Sequence, residues 1–285
     1  MSRHDLVNEP TERTSTDVLV EPAWLEAHLS DPNVRVIEVD VSPAAYDEGH
    51  VDGAVLWNIY QDLKGPDYRL MGRSVNQRLF VRSGLTPGST VVFYGYAPAI
   101  GFWLMKLYGH ADARILNCSR ESWRDDGHSW TSDVRDPAAT GYALAGEDAG
   151  IRVHYPDVQR AIEDPTQTIV DVRTVPEFAG ERFWPSGGLE EGGRAGHIPS
   201  AVSVPLDGLY DQRGSFRSPA ELRRVFSSLE TADQQELITY CTIGARACTT
   251  WFVLTYLLGR TDVRVYDGSW AEWGHMPELP VASRA

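Results

Sequence analysis

Residues 34–58 and 167–205 carry one pattern twice: "VRVIEVD" leads into "AAYDEGHVDGAVLWN", and "QTIVDVR" leads into "PEFAGERFWPSGGLEEGGRAGHIPSAVSVP". A second pair follows, "TVVFYG…WLMKLYGHADARILNCSRESW" over 90–123 and "ELITYC…FVLTYLLGRTDVRVYDGSWAEW" over 236–273. Downstream the registers agree to the residue. Gly109 to Asn117 and Gly259 to Asp267 both span eight positions, and Asn117 to Trp123 and Asp267 to Trp273 both span six. A chain built this way is two copies of one architecture, so whatever fold serves one half must serve the other. We read 17–127 as the first domain, 128–150 as an interdomain linker and 151–285 as the second domain. The linker is rich in Gly, Ala, Asp and Pro and lacks hydrophobic periodicity; residues 1–16 read as a tail.

Within each copy, β-branched runs (Val34–Val39, Val91–Tyr94, Thr168–Val172, Leu237–Tyr240) predict buried parallel strands. Helical patterns lie between them, as over 219–229, where Ser218 is placed to cap and Pro219 suits the first turn. Alternating strands and helices predict an α/β fold, each copy a parallel sheet flanked by helices on both faces. Ligands of such sheets sit beyond the carboxyl ends of the strands. Cys241 stands directly at such an end.

The run "YCTIGARACTTWF" (240–252) therefore offers a strand, a tight loop and a helix. A loop of this kind turns backbone N–H groups inward, and the helix behind it adds its positive end. Both favour a thiolate over a thiol. Gly244, Ala245 and Ala247 leave the bowl free of bulk, and Arg246 supplies a planar cation for an oxyanion. The alternative is that Cys241 is a small buried hydrophobe. The first copy weighs against it: there Gly95 follows the tyrosine, "GYAPAIGF" has no arginine, and Tyr94 to Gly109 spans fifteen positions where Tyr240 to Gly259 spans nineteen. We expect the first domain to be inactive.

Composition narrows the partners. Asp+Glu outnumber Lys+Arg 40 to 26, a formal net charge of −14, so nucleic acid and anionic membrane surfaces are poor partners and any anionic substrate needs a local cation. Three cysteines without a CxxC argue for a reducing compartment rather than disulfide stapling. The opening "MSRHDLVNEPTERTSTDV" has no apolar core of a secretory signal, and no apolar run reaches membrane-spanning length. The expected location is the cytoplasm.

The tandem "GHVDGA" and "GHIPSA", the cysteine loop confined to the second copy and the closing "DGSWAEW" resemble the two-domain rhodaneses, sulfurtransferases of the thiosulfate and mercaptopyruvate classes. The resemblance implies two tandem rhodanese-like domains, with a persulfide formed on Cys241 and cradled by the loop from Thr242 through Ile243, Gly244, Ala245 and Arg246 to Ala247. It implies a small-molecule sulfur donor such as thiosulfate, an acceptor such as cyanide, a thiol or a partner protein, and no metal or organic cofactor. Within the family the loop lies nearest the bacterial Cys-Arg-Ile-Gly-Glu-Arg style, with Thr242 and Ala245 replacing two charged residues. Glu177 falls where mercaptopyruvate enzymes tend to carry an arginine, so a carboxylate there is expected to repel that substrate. Ser200 replaces a customary glycine, a departure expected to matter little.

Phe178 to Gly196 spans eighteen positions, whereas Tyr46 to Gly49 spans three. The extra segment reads either as a wall over the pocket whose arginines, Arg182 and Arg194, meet an anion, or as a solvated loop whose aromatics pack on the other domain. Cys248 and Cys118 read as packing residues, with a resolving thiol as the alternative for Cys248. His50 and His197 recur in both copies and so belong to the turn rather than to chemistry. Asp171 and Arg173 read as support. Two rival functions stand beside sulfur transfer: a phosphatase-type anion loop, which needs five residues between cysteine and arginine where this chain has four, and a persulfide carrier that serves a partner enzyme.

Overall fold

The structure is a computed structural model and describes residues 18–232 and 235–283. The tail read over 1–16 lies outside the described residues. The strands are β1 (Leu19–Val20), β2 (Val34–Asp40), β3 (His50–Val51), β4 (Val55–Asn58), β5 (Thr90–Gly95), β6 (Ala113–Leu116), β7 (Trp130–Thr131), β8 (Arg152–Val153), β9 (Gln167–Asp171), β10 (Val202–Ser203), β11 (Glu236–Tyr240) and β12 (Val263–Tyr266). Two five-stranded sheets result, ordered β1-β6-β5-β2-β4 and β10-β9-β11-β12-β8, with every pairing within them parallel. Read backwards, the second order repeats the first role for role. The internal repeat is thus a repeat of topology.

Central strands are buried on both faces, which is why they are rich in apolar and β-branched residues: Val36, Ile37 and Val39 of β2 and Leu237, Ile238 and Tyr240 of β11 are all buried. Helices cover both faces of each sheet. Four of them matter for the site: α1 (Pro98–Leu107), α2 (Val175–Ala179), α3 (Ala245–Phe252) and α4 (Ser269–Trp273). Helices α1 and α3, equivalents in the two copies, pack on each other through Phe102, whose ring lies 4.9 Å from Phe252 and 6.2 Å from Trp251. Each such ring removes enough apolar surface from water to contribute on the order of 2 kcal/mol. The two halves consequently share one continuous core.

Four local outcomes follow. The helix read over 219–229 is α-helical only over Pro219–Val225 and continues as a 3-10 turn over Ser227–Ala232, because Ser227 and Ser228 are weak helix formers. Ser218 does cap it, accepting from Glu221 N. The linker is less open than its composition implies: β7 pairs antiparallel with β3, and Tyr142 and Leu144 are buried against the first half. Ser200 sits at φ 65°, where its counterpart Gly53 sits at φ 79°. The customary glycine answers a backbone requirement, so the serine is strained.

The repeated "GH" turns are held alike. His50 stacks on Tyr46 at 3.8 Å and donates from Nδ1 to its carbonyl at 2.8 Å; His197 stacks on Phe178 at 3.7 Å and donates to its carbonyl at 2.8 Å. These histidines are fasteners.

Candidate active site

Strand β11 ends at Tyr240, and Cys241 begins the turn into α3. The turn requires Gly244, whose φ is 90° and whose missing Cβ would lie 2.6 Å from the Asp267 oxygen. Gly244 N donates to Cys241 Sγ at 3.1 Å. The loop carbonyls are drawn the other way by α4: Trp270 N donates to Cys241 O at 2.9 Å and Ala271 N to Thr242 O at 2.8 Å. Ser269 Oγ accepts from Cys241 N at 3.1 Å. The amide of Cys248 bonds back to Gly244 O, so the amides of Ala245, Arg246 and Ala247 form the first turn of α3, the positive end of its dipole. The carbonyls of Cys241 and Thr242 are thus turned to α4, while the Gly244 amide is turned to the sulfur.

Cys241 is 1% exposed, yet it forms part of the floor of a cavity of ≈ 490 Å³. Thr242, Ile243, Ala245 and Arg246 line the same cavity. Gly244 stands behind the sulfur rather than in the cavity wall. Ala247 is wholly buried, its carbonyl accepting from the Thr239 hydroxyl, and does not reach the cavity.

Arg246 reaches the cavity with its charge already matched. Its guanidinium grips Glu177 of α2 with two bonds of 2.9 and 2.8 Å, and also donates to Thr242 Oγ1 at 2.7 Å. Thr242 itself donates to Glu177 at 2.6 Å. Burial alone would push the Glu177 carboxyl up. The bonds and charge of Arg246, with the hydroxyl of Thr242 and the amide of Thr174, outweigh burial and hold it down at about 2. Glu177 is therefore an ionised anchor for Arg246, and the sequence-based picture of a free carboxylate repelling substrate is corrected: its charge is spent.

Two further candidates are also reassigned. Arg194 donates to four main-chain oxygens, those of Gly274, Leu279, Trp273 and Met276, and so secures the chain around the end of α4. Arg182 is half-buried and donates to Pro185 O at 3.4 Å. Neither lines the cavity. The inserted segment does form a wall, but through Trp184, Pro185 and Ser186. Phe183 is buried and holds Trp184 in place, with ring centroids 5.1 Å apart, and Trp184 also contacts Tyr68 of the first half at 5.9 Å.

The first half supplies the opposite wall, Val41, Tyr60, Tyr96 and Ala97, which the sequence reading did not identify. Tyr96 is the positional counterpart of Thr242 and is 64% exposed; a large aromatic in a loop of small residues was the available signal. Beside it, Gly95 replaces the cysteine. A Cβ there would lie 2.9 Å from Glu38 Cγ and 3.0 Å from Val39 O. The first copy has no room for a nucleophile.

Behind the loop, Asp171 and Arg173 form a buried pair at 2.7 Å, and Arg173 also donates to Gly196 O at 2.7 Å, tying the strand end to the "GH" turn. Asp267 is buried too; it accepts from Leu70 N at 2.9 Å, Arg152 Nε at 2.8 Å and Lys64 Nζ at 3.4 Å. Burial pushes the Cys118 thiol up to about 12 and the Cys248 thiol well above its ordinary range. That leaves both as packing residues.

Comparison with known proteins agrees with this geometry. The "Rhodanese-like domain" family matches residues 21–126 and 155–276. The "Putative thiosulfate sulfurtransferase SseA" of Mycobacterium bovis is 40% identical over 273 residues, covering 93% of this chain and 90% of that protein. The "Sulfur carrier protein TtuD" of Thermus thermophilus is 36% identical over 275 residues, covering 93% and 96% respectively. Among solved structures, wild-type EanB superposes with a TM-score of 0.85 at 22% identity over 97% of this chain and 72% of that one, a likeness of fold. No helix among the described residues is long and apolar enough to cross a membrane.

Proposed function

The chain belongs to the rhodanese family, and from that premise we propose that it is a sulfurtransferase, moving sulfane sulfur through a persulfide on Cys241. The observation that carries the reading is the Gly244 amide 3.1 Å from Cys241 Sγ at the floor of an open cavity. The Cys241 thiolate attacks the outer sulfur of thiosulfate or a related donor. The donor's S–S bond breaks and sulfite leaves with its electron pair. The outer sulfur of the persulfide then passes to cyanide, a thiol or another nucleophile, which regenerates the thiolate. Two half-reactions through one covalent intermediate give ping-pong kinetics. Mercaptopyruvate stands as the alternative donor: with Arg246 paired to Glu177, no unpaired cation among the described lining residues favours either anion over the other.

A carrier role, in which the persulfide waits for a partner protein in the cytoplasm, has specific support in the neutralised loop and in the relative named as a sulfur carrier. Intact-mass measurement after thiosulfate tests the main reading. The protein should gain the mass of one sulfur atom, lose it to cyanide, and gain nothing as Cys241→Ala. Rapid loading with discharge only on addition of a second protein would shift the assignment to the carrier. No adduct from thiosulfate, mercaptopyruvate or polysulfide would end the proposal.

A further inference from the structure

We infer that the acceptor discharging the persulfide is an uncharged thiol with an aromatic or branched apolar body, held between the aromatic walls contributed by the two halves. The inference rests on the sulfurtransferase reading and names the substrate class for the same site.

Three observations carry it. The first is charge. Among the described residues lining the cavity, Arg246 is the sole ionic group, and it is committed to Glu177 through two bonds and to Thr242 through a third. Of the two other cations that sequence placed nearby, Arg194 is spent on main-chain oxygens and Arg182 donates to Pro185 O and does not line the cavity. A carboxylated acceptor would give up its water without gaining a counter-charge.

The second is size. A cavity of ≈ 490 Å³ falls within the range of about 300–1,000 Å³ that takes organic ligands. Cyanide or an inorganic anion of a few heavy atoms would leave it largely empty.

The third is surface. Tyr60, Tyr96 and Tyr210 remain 45%, 64% and 39% exposed, and with Trp184, Leu206 and Leu209 they give the cavity an aromatic and aliphatic lining. Exposed aromatics gathered on one cleft carry a hydration cost that an apolar occupant removes. They come from three separate segments of the chain, so nothing in local packing requires them to meet there.

The transfer balances without an outside oxidant. The thiol sulfur bonds to the outer sulfur of the Cys241 persulfide anion. The bond from that sulfur to Cys241 Sγ breaks, its electron pair returning to Cys241, and the thiol proton passes to the product persulfide.

The test uses the full chain, preloaded with thiosulfate, and three alkyl thiols: benzyl mercaptan, 2-mercaptoethanol and 3-mercaptopropionate. The kcat/KM for benzyl mercaptan should exceed those of the other two by about tenfold or more, the scale on which an apolar pocket discriminates. Tyr96→Ala and Trp184→Ala should each erase most of that preference while lowering the cyanide rate far less; Tyr96 is exposed enough for its variant to keep the fold. A flat ranking, a preference for 3-mercaptopropionate, or equal losses on every acceptor would overturn the inference and leave the sulfurtransferase reading standing. Failure of Cys241 to load from thiosulfate, mercaptopyruvate or polysulfide would overturn both.

Discussion

Lys64 Nζ lies 2.8 Å from the main-chain oxygen of Asp267, across the boundary between the two halves. The same oxygen sits where a side chain at Gly244 would project, so a buried cation of the first half stands directly behind the loop that carries Cys241.

Replacing Lys64 with Met removes one partner from a wholly buried cluster. Asp267 keeps Arg152 and Leu70 N, so the cost falls at the lower end for a broken buried pair, about 3 kcal/mol. Urea unfolding should show it as a lowered midpoint. Persulfide formation by the folded variant should slow as well, because Gly244 loses its backing. An unchanged midpoint would show the pair to be dispensable.

Glu177 makes stability acid-sensitive. Its carboxyl sits at about 2 in the folded chain against an ordinary 4.5. A lowered value stabilises the fold above pH 4.5, and that contribution fades as pH falls toward about 2, amounting to on the order of 3 kcal/mol when complete. Glu177→Gln should therefore be less stable near neutrality by about that amount, with the gap closing as both proteins are taken below pH 4.5. Urea midpoints at steps of pH decide it; a gap independent of pH would assign the loss to packing.

The three cysteines should separate under alkylation. All three are buried, but Cys241 lines the large cavity, whereas Cys118 lines only a smaller one, Cys248 lines neither, and burial raises both of those thiols. Native protein treated with iodoacetamide should take up one label, mapped to the peptide holding Cys241. Prior loading with thiosulfate should move that label to the outer sulfur. Equal labelling of Cys118 or Cys248 would contradict the packing described.

Ser200→Gly should stabilise. The serine holds φ 65°, a left-handed conformation costing roughly 1–2 kcal/mol outside glycine. Glycine's freer unfolded state takes part of that back, leaving a gain of about 0.5–1 kcal/mol. A higher thermal midpoint without change in persulfide formation is the expected result.

Local chemistry was readable and distant pairing was not. The repeat, the strand ends and the cysteine turn are written in neighbouring residues, so the fold class and the position of Cys241 could be taken from spacing alone. Strand limits moved by a residue, as at Asp40 and Gly95. Glu177 and Arg246 lie 69 positions apart, and only parallel pairing of β9 with β11 brings them together. A carboxylate expected to repel substrate therefore proved to be an anchor. Arg194 misled for the same reason, since the carbonyls that absorb it lie about eighty positions later. Lys64 and Tyr60 drew no notice because their partners belong to the other half of the chain.

The cavity is walled by Tyr60 and Tyr96 on one side and by the reactive loop on the other. The second copy thereby holds the cysteine, while the first contributes part of the wall that faces it. Mutation can retune which molecules are admitted by altering the silent copy, while the sulfur-bearing turn keeps its geometry. Equally, excising that first copy would strip the cavity of Val41, Tyr60, Tyr96 and Ala97 and leave the cysteine facing solvent on that side.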